Sequence, residues 1–329
     1  MSTTTLVPRI PLNPNIITNY FGSFLLIFGV IGESLNIFVF LSLRTFRESS
    51  CAFYLTLSSA IKIIQLLTGL LSRVVTSITA DDWTAISPFF CKFRSYLLEF
   101  CPLSDLSLAC LAVIDQFFAT SNHRQWQQWC NIKIATRLSL IVILFSLIIS
   151  IPQSIFFETI KLSATNRSAC IVNNKIFDYY NQNINLTTLF GPLPVLITIV
   201  FALLTYRHVK QIAYRTIPLV RRRLDQQLTT MVLTQSVFNS IVIAQYIILV
   251  VLVTNTTLLS NPSTSNQTQF ALTTTSCIYY LYTASSFYIY ICTSERFRHQ
   301  LHYVLFDIHL NRWRARQIHP INNIVEVIL

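Results

Sequence analysis

Between Ile16 and Cys292 the chain is cut by short polar loops into long apolar blocks, several of them without a charge over about 20 residues, the length that crosses a bilayer. Such a block must place its surface against other protein or against lipid. Charged residues make up only 11% of the 329, where an ordinary soluble domain carries roughly 25%, and mean hydropathy is +0.53. A disordered chain is excluded on that balance. With 5 Gly and 11 Pro, collagen-like and low-complexity classes fall away too. The sequence predicts an all-α membrane protein with several spans.

Seven spans are counted. They run from Ile16 to Leu43, Ala52 to Ile78, Phe89 to Thr120, Ile134 to Phe156, Leu186 to Tyr206, Leu228 to Val253 and Ala271 to Cys292. Lys62 interrupts the second, and Glu99, Asp105 and Asp115 lie in the third. The opening MSTTTLVPRIPLNPN has no basic n-region, so the first block reads as a span and not as a cleaved signal. The division expected is therefore an external segment over 1–15, a seven-transmembrane bundle over 16–293, a short amphipathic surface helix over 294–310 and a cytoplasmic tail over 311–329.

Basic residues set the orientation. With the N-terminus outside and the C-terminus inside, 16 of the 24 Lys and Arg fall on or nearest the cytoplasmic side and 7 on or nearest the outside, Lys62 alone being left to neither. The sequons at Asn166, Asn185, Asn255 and Asn266 all fall outside in this arrangement, with Asn166, Asn185 and Asn266 the glycosylation candidates. The formal charge of +11 is thus a positive-inside signature, spread over separate loops and not gathered into a nucleic-acid patch. Of the eight cysteines only Cys91 and Cys170 lie clearly outside, which makes them disulfide candidates; two free thiols are the alternative. No cysteine or histidine spacing suggests a metal site, and no cofactor motif is present.

Several motifs then line up. GESLNIFVF places Asn36 four residues after a glycine. Trp83 precedes Cys91 by 8 positions, and Cys91 precedes Asp115 by 24. VIDQFFAT surrounds Asp115, and SSFYIYICTSERFRHQL ends the last span. With seven spans, the chain resembles the rhodopsin-like G-protein-coupled receptor family over roughly Ile16 to Leu310, and LTLSSAIKIIQLL looks similar to invertebrate peptide-receptor-like members. The resemblance implies a multi-pass plasma-membrane receptor that binds an extracellular ligand and acts on a heterotrimeric G protein. It assigns coupling and activation to Asp115, Gln116, Phe117, Asp225 and Tyr290, and an intramembrane polar network to Asn36, Lys62, Asp105 and Ser286.

The departures from the family pattern carry information. Gln116 stands where the family has Arg, and Phe117 where it has Tyr. Ser286 and Phe287 replace Asn-Pro, and Gln245 takes the place of the proline in the sixth span. The family's sodium-binding Asp in the second span is replaced by Ile61, with Lys62 beside it. An internal Lys62–Asp105 ion pair is one reading, and a snorkelling Lys62 beside a protonated Asp105 is the other. Asp225 stands where a closing partner for position 116 would be, but Gln116 cannot form an ionic lock with it.

For the ligand, Leu98 replaces the Asp that holds an ammonium in amine receptors, while Glu99 offers a carboxylate to a cationic ligand such as an amidated Arg-containing neuropeptide. Tyr246, Tyr279, Tyr280 and Tyr282 are candidates to line the same pocket. The rival reading is a receptor fold with weak or lost coupling that serves as a ligand sink or scaffold. An enzyme is not expected, because all six histidines fall on cytoplasmic loops or the tail.

Overall fold

The structure, a computed structural model, describes residues 14–79, 87–121, 123–162, 167–181, 185, 190–212, 219–255 and 262–310. It is a bundle of long helices: α1 (Asn15–Ser42), α2 (Ser50–Thr79), α3 (Pro88–Thr120), α4 (Ile132–Phe156), α5 (Pro192–Ile212), α6 (Leu219–Asn255) and α7 (Pro262–Ala284). A break at Ser285 is followed by α8 (Ser286–Thr293) and the surface helix α9 (Glu295–His302).

Helix starts follow local chemistry. Ser49 accepts from the Ala52 amide and Asn131 from the Lys133 amide, while Pro88 opens α3 where a missing N–H costs nothing. Ser294 caps α9 by accepting from the Phe297 amide. Three boundaries differ most from expectation, the first being α5, which runs over Pro192–Ile212 where Leu186–Tyr206 is expected. α6 begins at Leu219, ahead of Leu228, because the basic stretch before the apolar block is itself helix-forming. α7 begins at Pro262, ahead of Ala271, since its Ser- and Thr-rich first turns hide the span from hydropathy.

The bundle is built on α3, which packs against α2, α4, α5 and α6. Val39, Phe40, Phe46, Leu108, Met231, Tyr290 and Phe297 form one core cluster, and Leu25, Leu66, Leu70, Tyr280 and Ala284 form another between α1, α2 and α7. A Cβ at Gly29 would lie 2.8 Å from Leu66 Cδ1 and 2.9 Å from Ala284 Cβ, so the approach of α1 to α2 and α7 requires glycine there. The outer faces are apolar and exposed, with Leu140, Ile141, Leu144, Phe145, Ile148 and Ile155 along α4. Five helices, α1 to α4 and α6, are long and apolar enough to cross a membrane among the described residues; the apolar part of α5, Pro192–His208, is shorter.

After α4 the strands β1 (Phe157–Leu162) and β2 (Arg167–Val172) pair antiparallel, with Thr159 opposite Cys170. Cys170 is bonded to Cys91 in the first turn of α3, with Cα atoms 5.7 Å apart. The hairpin is thereby fastened over one end of the bundle, called the disulfide end below.

Candidate functional site

At the disulfide end the helices enclose a cavity of about 300 Å³. Its walls follow helical spacing: Glu99, Pro102 and Leu106 on α3, Ile243, Tyr246 and Ile247 on α6, and Ser276, Tyr279 and Tyr280 on α7. Gln65 and Arg73 of α2, Leu98, Asn181, Asn185 and Phe190 complete it. Glu99 is buried, with Gln153 Nε2 donating to its Oε2 over 3.3 Å and Asn185 Nδ2 donating to its Oε1. Asn185 also donates to Asn181 Oδ1 at 3.1 Å, and Gln153 to the same oxygen at 2.9 Å. Amides from α4 and the loop before α5 therefore orient the carboxylate towards the cavity.

Two expectations are corrected here. Tyr282 does not line the cavity. It lies deeper on α7, fully buried with Leu106, Val242 and Ile243, and donates its hydroxyl to Gln65 Oε1 at 3.1 Å. Asn185 is not presented for glycosylation, because its side chain is buried and its amide nitrogen is engaged by Glu99 and Asn181. Asn166 lies outside the described residues, and Asn266 falls within α7.

Below the cavity a buried polar network begins at Gln65, whose Nε2 donates to the Tyr279 hydroxyl at 3.4 Å. One turn along α2, Lys62 Nζ donates to Ser286 Oγ at 2.7 Å and lies 3.9 Å from Asp105 Oδ1. Ser58 donates to Asp105, and Gln235 Nε2 of α6 donates to Ser286 Oγ at 2.7 Å. Asn36 Nδ2 donates to Glu33 Oε2 at 3.2 Å, and Glu33 is fully buried within the electrostatic reach of Lys62. Asn36, Lys62, Asp105 and Ser286 are thus brought into one region, and Glu33 joins them. These residues do not fit the sodium ion that the resemblance implies, because a second cation beside Asp105 would face the Lys62 ammonium directly. A pocket of about 20 Å³ bounded by Ser58, Lys62, Gln235, Asn239 and Tyr290 has room for one water.

At the opposite end of α3, Ser50 donates to both oxygens of Asp115 at 2.8 Å. Gln116 is buried, and its Oε1 accepts from Thr229 Oγ1 of α6 at 2.6 Å. The partner of position 116 on α6 is therefore Thr229, one turn beyond Asp225, whose side chain lies outside the described residues. Phe117 packs against Phe201 and His208 of α5, with ring centroids 5.4 and 5.0 Å away, and against Trp126. Tyr290 is buried against Phe40 and Phe297. Gln227 Nε2 donates to Gln300 Oε1 at 2.8 Å, tying α6 to α9.

A ligand-sized cavity, a buried polar middle and an α3–α6 contact at the far end are arranged along one bundle. The family model for the 7 transmembrane receptor (rhodopsin family) matches residues 32–290. The chain belongs to that family. No individual curated protein matches it. In this rhodopsin-family receptor the match begins at Gly32, just before Asn36, and ends at Tyr290, so it spans the cavity, the polar network and the Gln116 contact.

Sequence reasoning missed Glu33, Gln65, Arg73, Gln153 and Thr229. Glu33 had a signal: it precedes Asn36 by three residues and so shares its helical face. Arg73 was visible only as an external charge, and Gln153 and Thr229 gave no cue, because nothing local marks a neutral polar residue as a partner across helices.

Proposed function

We propose that this receptor sits in the plasma membrane with its N-terminus and disulfide end outside, binds an extracellular peptide in the Glu99 cavity and activates a heterotrimeric G protein at the Gln116 end. The carrying observation is that α3 presents Glu99 to the cavity and, about five turns on, Gln116 to α6. Between them Gln65, Lys62, Ser286 and Gln235 connect α2, α8 and α6 by hydrogen bonds. A ligand that draws α6 and α7 towards Glu99 would act on the helix that also carries Gln235 and Thr229, so α6 is the element proposed to move in signalling.

Lys62 serves as a built-in counter-ion in this reading, holding Asp105 and Glu33 where a diffusible cation would otherwise be needed. The closed state is held by neutral contacts, Thr229 to Gln116 and Gln227 to Gln300, worth about 1 kcal/mol each. Asn166 and Asn266 are the proposed glycan sites, and the basic stretch from Arg207 to Arg223, at the α5 and α6 ends, is proposed to face the G protein and anionic lipid.

The test is G-protein activation in cells on exposure to peptide pools. Wild-type activation that is lost in Glu99→Ala supports the reading. The neutral side chain of Gln116, bound to Thr229 instead of to a carboxylate, favours a second reading, a receptor that binds ligand without coupling. Activity gained only on Gln116→Arg would support that one.

A further inference from the structure

The cavity holds two opposite charges that do not meet. Glu99 lies on the α3 wall, and among the described residues its two oxygens accept from the amides of Gln153 and Asn185, which orient the carboxyl group and bring it no positive charge. Arg73 lies on the α2 wall, is solvent-exposed, and has the Tyr280 hydroxyl beside its guanidinium. Arg94, whose Nε donates to Ser72 Oγ at 2.8 Å, adds its positive field at Tyr280. The ion pairs among the described residues are Arg44–Glu48, Lys62–Asp105 and His299–Glu295, and neither Glu99 nor Arg73 takes part in any of them.

A carboxyl group buried without a cation is costly to ionise unless a ligand brings it a positive charge, while the exposed guanidinium across the cavity is open to an anion. Between them the walls are apolar or aromatic, with Leu98, Leu106, Phe190, Ile247 and Tyr279. A volume of about 300 Å³ suits a small molecule or the end of a peptide and is too small for a folded domain. Arg presents paired N–H donors in a plane, the geometry that a carboxylate accepts and a neutral amide does not.

We infer that the ligand is a short peptide with both termini free, its carboxylate bound by Arg73 and its ammonium by Glu99. This rests on the reading of the cavity as the ligand site. It departs from the amidated, Arg-containing peptide that Glu99 alone suggested, because an amidated terminus leaves Arg73 without an anion.

The test is thermal unfolding of the detergent-purified receptor with three matched pools of di- and tripeptides: free at both ends, C-terminally amidated, and N-acetylated. The free pool is expected to raise the unfolding temperature, and each blocked pool to need about 10-fold or more higher concentration for the same shift. Arg73→Gln is expected to erase the difference between the free and amidated pools only, and Glu99→Gln that between the free and acetylated pools only. Arg73→Lys, which keeps the charge, preserves part of the acid preference and covers the case in which Arg73→Gln does not fold. Equal or better stabilisation by the amidated pool overturns the inference, as does no stabilisation by any pool up to about 1 mM, a limit of roughly 4 kcal/mol in binding. Because no G protein is present, binding with the expected preference but without cellular activation would count against the signalling reading while leaving this inference standing.

Discussion

Thr229 Oγ1 of α6 donates to Gln116 Oε1 of α3 over 2.6 Å, and both side chains are buried. Two neutral groups thus hold together the helix ends that the family resemblance would join with an ion pair. In the proposed signalling cycle this neutral hydrogen bond holds the closed state and is weak enough to open.

Replacing Thr229 by Val keeps the shape and removes the donor, leaving the Gln116 oxygen buried and unmet. The cost falls on the closed state, about 1–3 kcal/mol, so basal G-protein activity in cells should rise several-fold. Thr229→Ser, which keeps the hydroxyl, should stay near wild type. Equal basal activity in all three would mean that this contact does not hold the resting state.

The centre of the bundle makes a different prediction. Lys62→Met strands Asp105 and Glu33 without their shared cation, and should destabilise the receptor by about 3–5 kcal/mol. Adding Asp105→Asn should recover part of the loss, since Glu33 is then the one carboxyl group of the two left without the ammonium. Thermal unfolding of the single and double variants checks this; a double variant that loses the sum of the two single losses would show that Lys62 and Asp105 do not act as a pair.

These partnerships show what the sequence can disclose. The five helices α1 to α4 and α6 were legible because a bilayer demands apolar length, and Asn36, Asp105 and Ser286 because polar residues stand out against such a background. Tyr282 was misplaced by about one turn, since an aromatic residue near a helix end reads alike whether it faces a cavity or the core. The sequon at Asn185 is legible because it is local, and its burial against Glu99 is not. Thr229 and Gln153 were invisible, being defined only by what another helix brings to them.

Asn185, buried against Glu99, is expected to carry no glycan. Asn185→Gln should leave electrophoretic mobility unchanged before and after glycosidase treatment, while Asn166→Gln should shift it. It should also weaken ligand binding, because the amide at Glu99 is displaced. A mobility shift for Asn185→Gln would place that side chain outside the bundle.

The Cys91–Cys170 bridge joins positions 79 apart in sequence and holds the hairpin over the cavity. Removing either cysteine should cost about 2–5 kcal/mol and reduce surface delivery, read by labelling of intact cells. The double variant should match the single ones. A further loss in the double variant would show that the two thiols act separately.

Whether occupancy of the Glu99 cavity reaches the Gln116 end is read by recording peptide-stimulated G-protein activation in cells expressing wild type, Glu99→Ala and Gln116→Arg at matched surface levels. The account predicts activation in wild type, its loss in Glu99→Ala and its retention in Gln116→Arg. Silence in wild type with activation appearing only in Gln116→Arg would contradict it, leaving a receptor that binds at the disulfide end and does not couple at the other.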